Sequence, residues 1–270
     1  TTNALDRPEA LSDWLTLLRG TVSVTFAQEG GAVVAGLYAE QSAHDFYAFE
    51  DDSSLRLTLG GRHEVTERLE LGAEASVAVA SEGDDIDIED LVIGIRTRTI
   101  SAAAGIKAAY RFTDALKLAG ELQASRSTPG KAHFEAGLVE PQQLSPRRDR
   151  LAGGASLTHE RGRWAYAGAV GGEIGQVGRP GQLPYDFRYG RAFARAEAIA
   201  KFGDLSAKLG AGADAVLVPQ AGFAVVRPSA VAEIGYRFVN GIALRGALSA
   251  MLDTSGADDP LATWVRLLES

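Results

Sequence analysis

The chain has no cysteine and a single methionine, Met251. Without cysteine it holds neither a disulfide nor a thiolate metal site. It also lacks any basic run, its formal net charge is -8 and its sequence pI is about 5.1. Those three facts argue against a nucleic-acid partner. No apolar stretch approaches the ~18 residues that would mark a membrane-spanning helix. That last absence says nothing about strands. Only every second residue of a spanning strand faces lipid, so a hydropathy window averages the signal away. Residue 1 is Thr, the kind of start that a removed signal peptide leaves.

What the 270 residues do contain is a repeated hairpin device. Near the C-terminus, Ala232, Ile234, Tyr236 and Phe238 share one parity, and Glu233, Gly235 and Arg237 share the other. Asn240-Gly241 is a strong turn signal, since both residues accept positive φ. Beyond it Ile242, Leu244, Leu248 and Leu252 oppose Arg245, Ser249 and Asp253. Side chains alternate across a strand, so each arm has one apolar and one charged face.

Five more pairs follow the same plan: Thr21–Gln28 with Ala32–Ala39, Ser53–His63 with Leu69–Ala80, Leu91–Phe112 with Ala115–Ser125, Leu151–His159 with Arg163–Ile174, and Arg188–Phe202 with Leu205–Leu217. The turns within pairs are short, such as Glu29-Gly30-Gly31, Thr113-Asp114 and Gly203-Asp204. The connections between pairs are long (about 40–52, 81–90, 126–150, 175–187, 218–224 and 254–261) and hold most of the acids and prolines. Short turns at one end and long loops at the other is the asymmetry of outer-membrane barrels, periplasmic and extracellular respectively. The aromatics gather beside the short turns: Tyr110, Phe112, Trp164, Tyr166, Phe202, Tyr236 and Phe238. A soluble sheet has no reason to collect rings at one end, whereas a barrel needs a girdle at the lipid–water interface. The expected fold is all-β: a transmembrane antiparallel up-and-down β-barrel of 12–14 strands in a bacterial outer membrane, its 12 strands from six hairpins and further ones sought near residues 13–20, 40–50 or 262–268.

The first 20 residues read differently. Asp6-Arg7-Pro8-Glu9 resembles a helix start, and Leu11, Trp14, Leu15 and Leu18 follow helical spacing up to Gly20. The expectation is a leader helix over about 7–19, lying outside the barrel or plugging it, with the barrel over 21–270.

Parity also separates the charges. Lipid at mid-depth costs Arg or Lys ~2–4 kcal/mol, so the segregated charges must face the interior. The expected pore-lining bases are Arg56, Arg62, Arg96, Arg98, Lys107, Arg111, Lys117, Arg191, Arg195, Lys201, Lys208, Arg237 and Arg245. The acids are Glu70, Glu74, Glu121, Glu197, Asp214, Glu233 and Asp253. Thirteen bases against seven acids give a positive lumen in an acidic chain. Either they form a ladder that focuses potential on anions, or they pair across strands and close a narrow lumen.

Catalytic and metal sites are not expected. The run Ser81–Asp90 carries six carboxylates but lacks EF-hand spacing and reads as a solvated acidic loop. His44, His63, His133 and His159 stand in no ligand or triad spacing. The long stretch 126–150 could fold into the mouth as a constriction. No cofactor is called for, and the chain is read as not an enzyme. The expected partners are outer-membrane lipid and lipopolysaccharide, small solutes or ions, and a homo-oligomer or a protein reached through the extracellular loops.

At Asp51-Asp52-Ser53-Ser54-Leu55-Arg56-Leu57-Thr58-Leu59-Gly60, then Leu69-Glu70-Leu71-Gly72-Ala73-Glu74, the chain resembles the early hairpin of Gram-negative porins. That resemblance implies passive diffusion of small hydrophilic solutes, often through trimers of larger barrels. The chain departs from porins in being shorter and in ending Trp264-Val265-Arg266-Leu267-Leu268-Glu269-Ser270, without a terminal aromatic. A helix followed by about 12 strands is also similar to the translocator domain of autotransporters, which implies a helix in the pore. A third reading is a structural barrel with a closed lumen that binds a partner through its loops.

Overall fold

The computed structural model describes residues 14–45, 50–88, 91–134, 140–178, 187–219, 222–238 and 243–252. Alternation of apolar and polar residues produces strands throughout: β1 (Leu15–Gln28), β2 (Gly31–His44), β3 (Ser53–Thr66), β4 (Leu69–Ile88), β5 (Leu91–Thr113), β6 (Leu116–Pro129), β7 (His133–Phe134), β8 (Arg147–Arg161), β9 (Trp164–Gly178), β10 (Phe187–Phe202), β11 (Leu205–Val218), β12 (Phe223–Arg237) and β13 (Ala243–Met251). All 13 belong to one antiparallel sheet, and the 12 long strands follow one another in chain order. The six hairpins read from the sequence are the ones formed.

Most of these strands exceed what a bilayer requires, since ~9–11 tilted residues cross one. The excess lies at the loop end. There β4 runs to Ile88 and β5 starts at Leu91, so the acidic segment 81–90 is mostly a tall hairpin and not a loop. The 126–150 connection also extends the wall. Where β6 stops at Pro129, β7 takes its place beside β5, pairing Phe134 with Ile95 and His133 with Arg96. A bridge between Ala132 and Gln142 pins that excursion. The described part of this connection therefore docks along the wall and does not cross the mouth.

The short turns are tight for identifiable reasons. Gly30, Gly162 and Gly203 have φ of 72°, 62° and 62°, which side-chain-bearing residues adopt at a cost. The β3–β4 and β5–β6 turns share another device. Thr66 Oγ1 accepts from the Arg68 and Leu69 amides, and Thr113 Oγ1 from those of Ala115 and Leu116, next to a register shift in each ladder.

One expectation fails here. Leu15–Arg19, assigned to a leader helix by spacing, is the start of β1, and the boundary drawn at residue 20 falls inside that strand. Leu18 pairs with Gln41 and Arg19 with Glu40. The helical spacing of Trp14, Leu15 and Leu18 loses to the backbone ladder that β2 offers. The remainder of the expected helix, 7–13, lies outside the described residues, as do the Asn240-Gly241 turn and the segment 262–268.

The side chains sort by face, and the sorting is inverted relative to a soluble protein. The large apolar residues are the exposed ones: Leu57 59%, Val170 59%, Leu209 65%, Leu248 73%. Buried apolar residues among those described are few and small, of the kind of Val216 and Val218. A single sheet with its apolar face outermost has no second layer to cover it, so lipid is its solvent. The rings mark one edge of that belt. Tyr110 packs edge-on against Phe112 at 4.9 Å, Trp164 against Phe202 at 6.2 Å, and Tyr236 against Phe238 at 4.7 Å, all outward and all beside short turns.

The sheet curls. One cavity of about 720 Å³ touches Thr25 on β1, Glu74 on β4, Lys107 on β5 and Phe193 on β10, so distant strands face a common space. Among the described residues β1 and β13 are the two edges and pair only with β2 and β12. β1 runs toward a short turn and β13 away from one, so their directions are opposed, as antiparallel closure requires.

A charged lumen as the candidate functional site

The ladders assign each strand residue to a face without ambiguity. Outward Leu57 pairs with Leu37 and Val77, while inward Arg56 pairs with Tyr38 and Ala78. Followed around the sheet, Arg56, Arg62, Glu70, Glu74, Lys107, Arg111, Lys117, Glu121, Arg191, Arg195, Glu197, Lys201, Lys208, Asp214, Glu233, Arg237 and Arg245 share the inward face. Arg96 and Arg98 do not. The β4–β5 ladder runs unbroken from Ile88↔Leu91 to Leu69↔Tyr110, which puts both on the parity of Ile100 and Ile106, the outward face. They stand beyond the apolar belt at the loop end, where Arg96 donates to the Asp51 carbonyl at 2.7 Å. Asp253 lies outside the described residues.

The inward face also holds charges outside the expected set: Arg19, Glu40, Arg148, Arg150, Glu173 and Arg227, with Glu64, Glu82, Asp84 and Glu160 toward the strand ends. Strands β2 and β8 reach several residues further than expected and carry three of these, Glu40, Arg148 and Arg150. Inward strand positions among the described residues carry fifteen bases and twelve acids. The lumen is therefore closer to neutral than the sequence suggests.

The inward ion pairs seen among the described residues join neighbouring strands. Arg19 meets Glu40 at 2.7 Å, Lys107 meets Glu74 at 3.2 Å, Arg150 meets Glu173 at 2.5 Å and Lys208 meets Glu197 at 2.9 Å. Glu233 binds Arg245 on one side and Lys208 at 4.0 Å on the other. None of these pairs spans the interior. Their exposure differs: Lys107 and Glu74 are 55% and 49% exposed, whereas Glu173 and Glu233 are 14% and 21%. Charge on this wall is paired along the sheet, between adjacent strands.

The densest group is on β10–β12. Asp214 is buried at 8% exposure, with Arg191 at 3.7 Å and Arg195 at 3.8 Å from its carboxylate. Across the β11–β12 ladder it faces Arg227, itself only 3% exposed. Glu173 stands opposite Arg191 across the β9–β10 ladder, so acids and bases are interleaved here. Successive inward residues of β10 read Tyr189, Arg191, Phe193, Arg195. The Phe193 ring lies against Gly171, where a Cβ would come within 2.6 Å of it, and Arg195 stacks over the ring at 5.2 Å. Tyr189 lies against Gly175 in the same way. Glycines on β9 thus make room for rings that buttress the arginines. A smaller cavity of about 250 Å³ is lined by Glu121, Arg150, Glu173, Arg191, Arg195 and Asp214. Among the described residues no three potential ligands cluster in a way that would hold a metal ion.

An outward apolar belt, a ring girdle beside short turns and a wet charged interior define a class: this is the fold of Gram-negative outer-membrane β-barrel proteins. Comparison with known proteins agrees. No family model and no curated protein matches the chain. Among solved structures it is similar to the copper transporter OprC, with a TM-score of 0.61 at 12% identity over 93% of this chain and 56% of that one. A Pseudomonas aeruginosa FadL homologue gives 0.50 at 13% identity over 87% and 70%. The ferric yersiniabactin uptake receptor FyuA from Yersinia pestis gives 0.52 at 11% over 89% and 53%. The chain thus spans only about half the length of OprC and FyuA. At these identities the likeness is one of fold.

Proposed function

We propose that the chain forms a bacterial outer-membrane channel for passive diffusion of small hydrophilic solutes, with a preference for anions. One observation carries this reading: the inward ion pairs among the described residues join adjacent strands along the wall, and none of them reaches across to an opposite wall. A closed structural barrel would instead tie opposite walls together. The anion preference rests on the inward charges taken together, fifteen bases against twelve acids among the described strand positions, with Arg191 and Arg195 buttressed by the rings of β10. Focused positive potential there raises the local anion concentration. The structures it resembles include a copper transporter and a ferric yersiniabactin uptake receptor, which is consistent with a transport role.

The test is current through planar bilayers containing the purified protein. Absence of any conductance would sink the channel. Given conductance, charge reversal at Arg191 and Arg195 should move the reversal potential toward cations, whereas reversal at Arg96 and Arg98 should leave it in place. The translocator reading needs a helix in the pore. Deleting residues 1–13, which spares β1, should raise conductance if that reading holds and leave it unchanged if the lumen is open.

A further inference from the structure

One stretch of the lumen wall is bare backbone between charged side chains. Glu121 on β6 pairs with Gly154 on β8, Gly154 with Gly171 on β9, Gly171 with Phe193 on β10, and Phe193 with Asp214 on β11. Gly153 pairs with Gly172 beside them, so four glycines form one patch. Glu121 bounds it on one side, with Arg191, Arg195 and Asp214 on the other, and all four reach one cavity of about 250 Å³. Three strand spacings, ~14 Å along the wall, separate Glu121 from Phe193.

The charges at this cavity balance in number, but their hydrogen bonds do not close. Arg150 meets Glu173 at 2.5 Å. Lys107, the cross-strand neighbour of Glu121, turns instead to Glu74 at 3.2 Å. Among the described residues Glu121 is left without an ion pair. Asp214 offsets the charge of Arg191 and Arg195, yet at 3.7 and 3.8 Å both contacts are too long for hydrogen bonds. One side of the cavity therefore offers an acceptor and the other offers donors, across a floor without side chains. Phe193 adds an apolar edge, its ring against Gly171 and beneath Arg195.

We propose that this cavity binds a small zwitterion of the α-amino-acid class, with Glu121, Arg191 and Arg195 setting the specificity. The solute's carboxylate takes the guanidinium forks of Arg191 and Arg195, which match its two oxygens in geometry as well as sign. Its ammonium donates to Glu121, and its side chain lies over the glycine patch. A simple anion gains the arginines but meets Glu121, Glu173 and Asp214; a simple cation meets the reverse. Three bases and three acids line the cavity, so only a molecule carrying both charges uses both sides. The inference rests on the solute-accessible lumen of the channel reading, but not on ion current.

The probe is leucine, titrated into detergent-purified protein and followed by saturation-transfer NMR. N-acetylleucine, with the carboxylate alone, and leucinamide, with the ammonium alone, are run beside it. Leucine should bind about ten-fold tighter than either, since each blocked analogue forfeits one contact between charged groups. Glu121→Gln should erase the preference over N-acetylleucine and keep that over leucinamide. Arg191→Gln/Arg195→Gln should do the opposite. A distorted wall would weaken all three solutes together and could not produce that crossed pattern. Should a variant lose all three, Glu121→Asp and Arg195→Lys decide: each keeps its charge and should keep the preference for leucine, and loss of the preference in both overturns the site. Arg62→Gln, elsewhere on the lumen face, should change nothing. No binding of leucine, or equal binding of either analogue, also overturns the site. Current is read separately: a barrel that conducts but does not distinguish the three solutes refutes the site alone, and one that binds leucine but passes no current refutes the channel alone.

Discussion

Replacing Asp214 with Asn is the sharpest probe of the lumen. The carboxylate is nearly buried and lies 3.7 Å from Arg191 and 3.8 Å from Arg195. At such separations a unit-charge pair is worth ~1 kcal/mol in water and ~4.5 kcal/mol at the effective dielectric of a protein surface. The substitution removes this neutralising charge while leaving the shape of the side chain. An anion passing about 6 Å away then escapes a repulsion of ~0.7 kcal/mol if water fills the gap, a factor of roughly three in local concentration. At 0.1 M salt a Debye length of ~10 Å roughly halves that energy, so anions gain and cations lose about twofold each and the anion-to-cation permeability ratio should rise about fourfold. At 1 M the Debye length falls to ~3 Å, and the effect should nearly vanish. The assay is the reversal potential across a planar bilayer under a salt gradient, at both concentrations. An unchanged ratio at low salt would refute the placement of Asp214 beside the permeation path. A shift toward cations would refute the sign of the local field. Far-UV circular dichroism of the variant establishes that the barrel is folded.

The face assignment predicts an asymmetry between neighbours. Leu57→Arg, outward in the belt, should cost ~2–4 kcal/mol of folding stability in lipid vesicles, while Thr58→Arg, inward, should cost less than ~1 kcal/mol; equal costs would mean the faces are misassigned. Gly171→Ala places a Cβ 2.6 Å from the Phe193 ring and 2.7 Å from the Gly153 carbonyl. Denaturant titration should show a loss of ~1–3 kcal/mol, of which Phe193→Ala on the same background restores only part, because the backbone clash stays. The two sheet edges can be tested by cross-linking, which the absence of cysteine makes clean. A cysteine at inward Ser23 of β1, combined in turn with cysteines at Arg245, Ala247 and Ser249 of β13, should give one dominant disulfide if the edges meet in the membrane; no disulfide in any pair means that β1 pairs elsewhere.

The fold was legible in the sequence because a bilayer imposes a period of two on every strand and leaves few exceptions. Each predicted hairpin formed, and the rings at 110, 112, 164, 166, 202, 236 and 238 marked one edge of the belt correctly. Leu15–Arg19 misled because three residues at helical spacing are weak evidence against a strand partner, and nothing local announces that β2 continues to His44. The same blindness to strand length hid Glu40, Arg148 and Arg150, which sit in wall that a local reading takes for loop. Arg96 and Arg98 were a different error, correctable from the sequence itself. They are even-numbered, Lys107 and Arg111 are odd-numbered, and an unbroken strand cannot turn both sets inward. Obeying that rule moves two arginines from the lumen to the outward face at the loop end. The chain is acidic overall, yet its described inward strand positions carry fifteen bases against twelve acids. A wall one strand thick separates those inward charges from Arg96 and Arg98, so each set can be altered and assayed without disturbing the other.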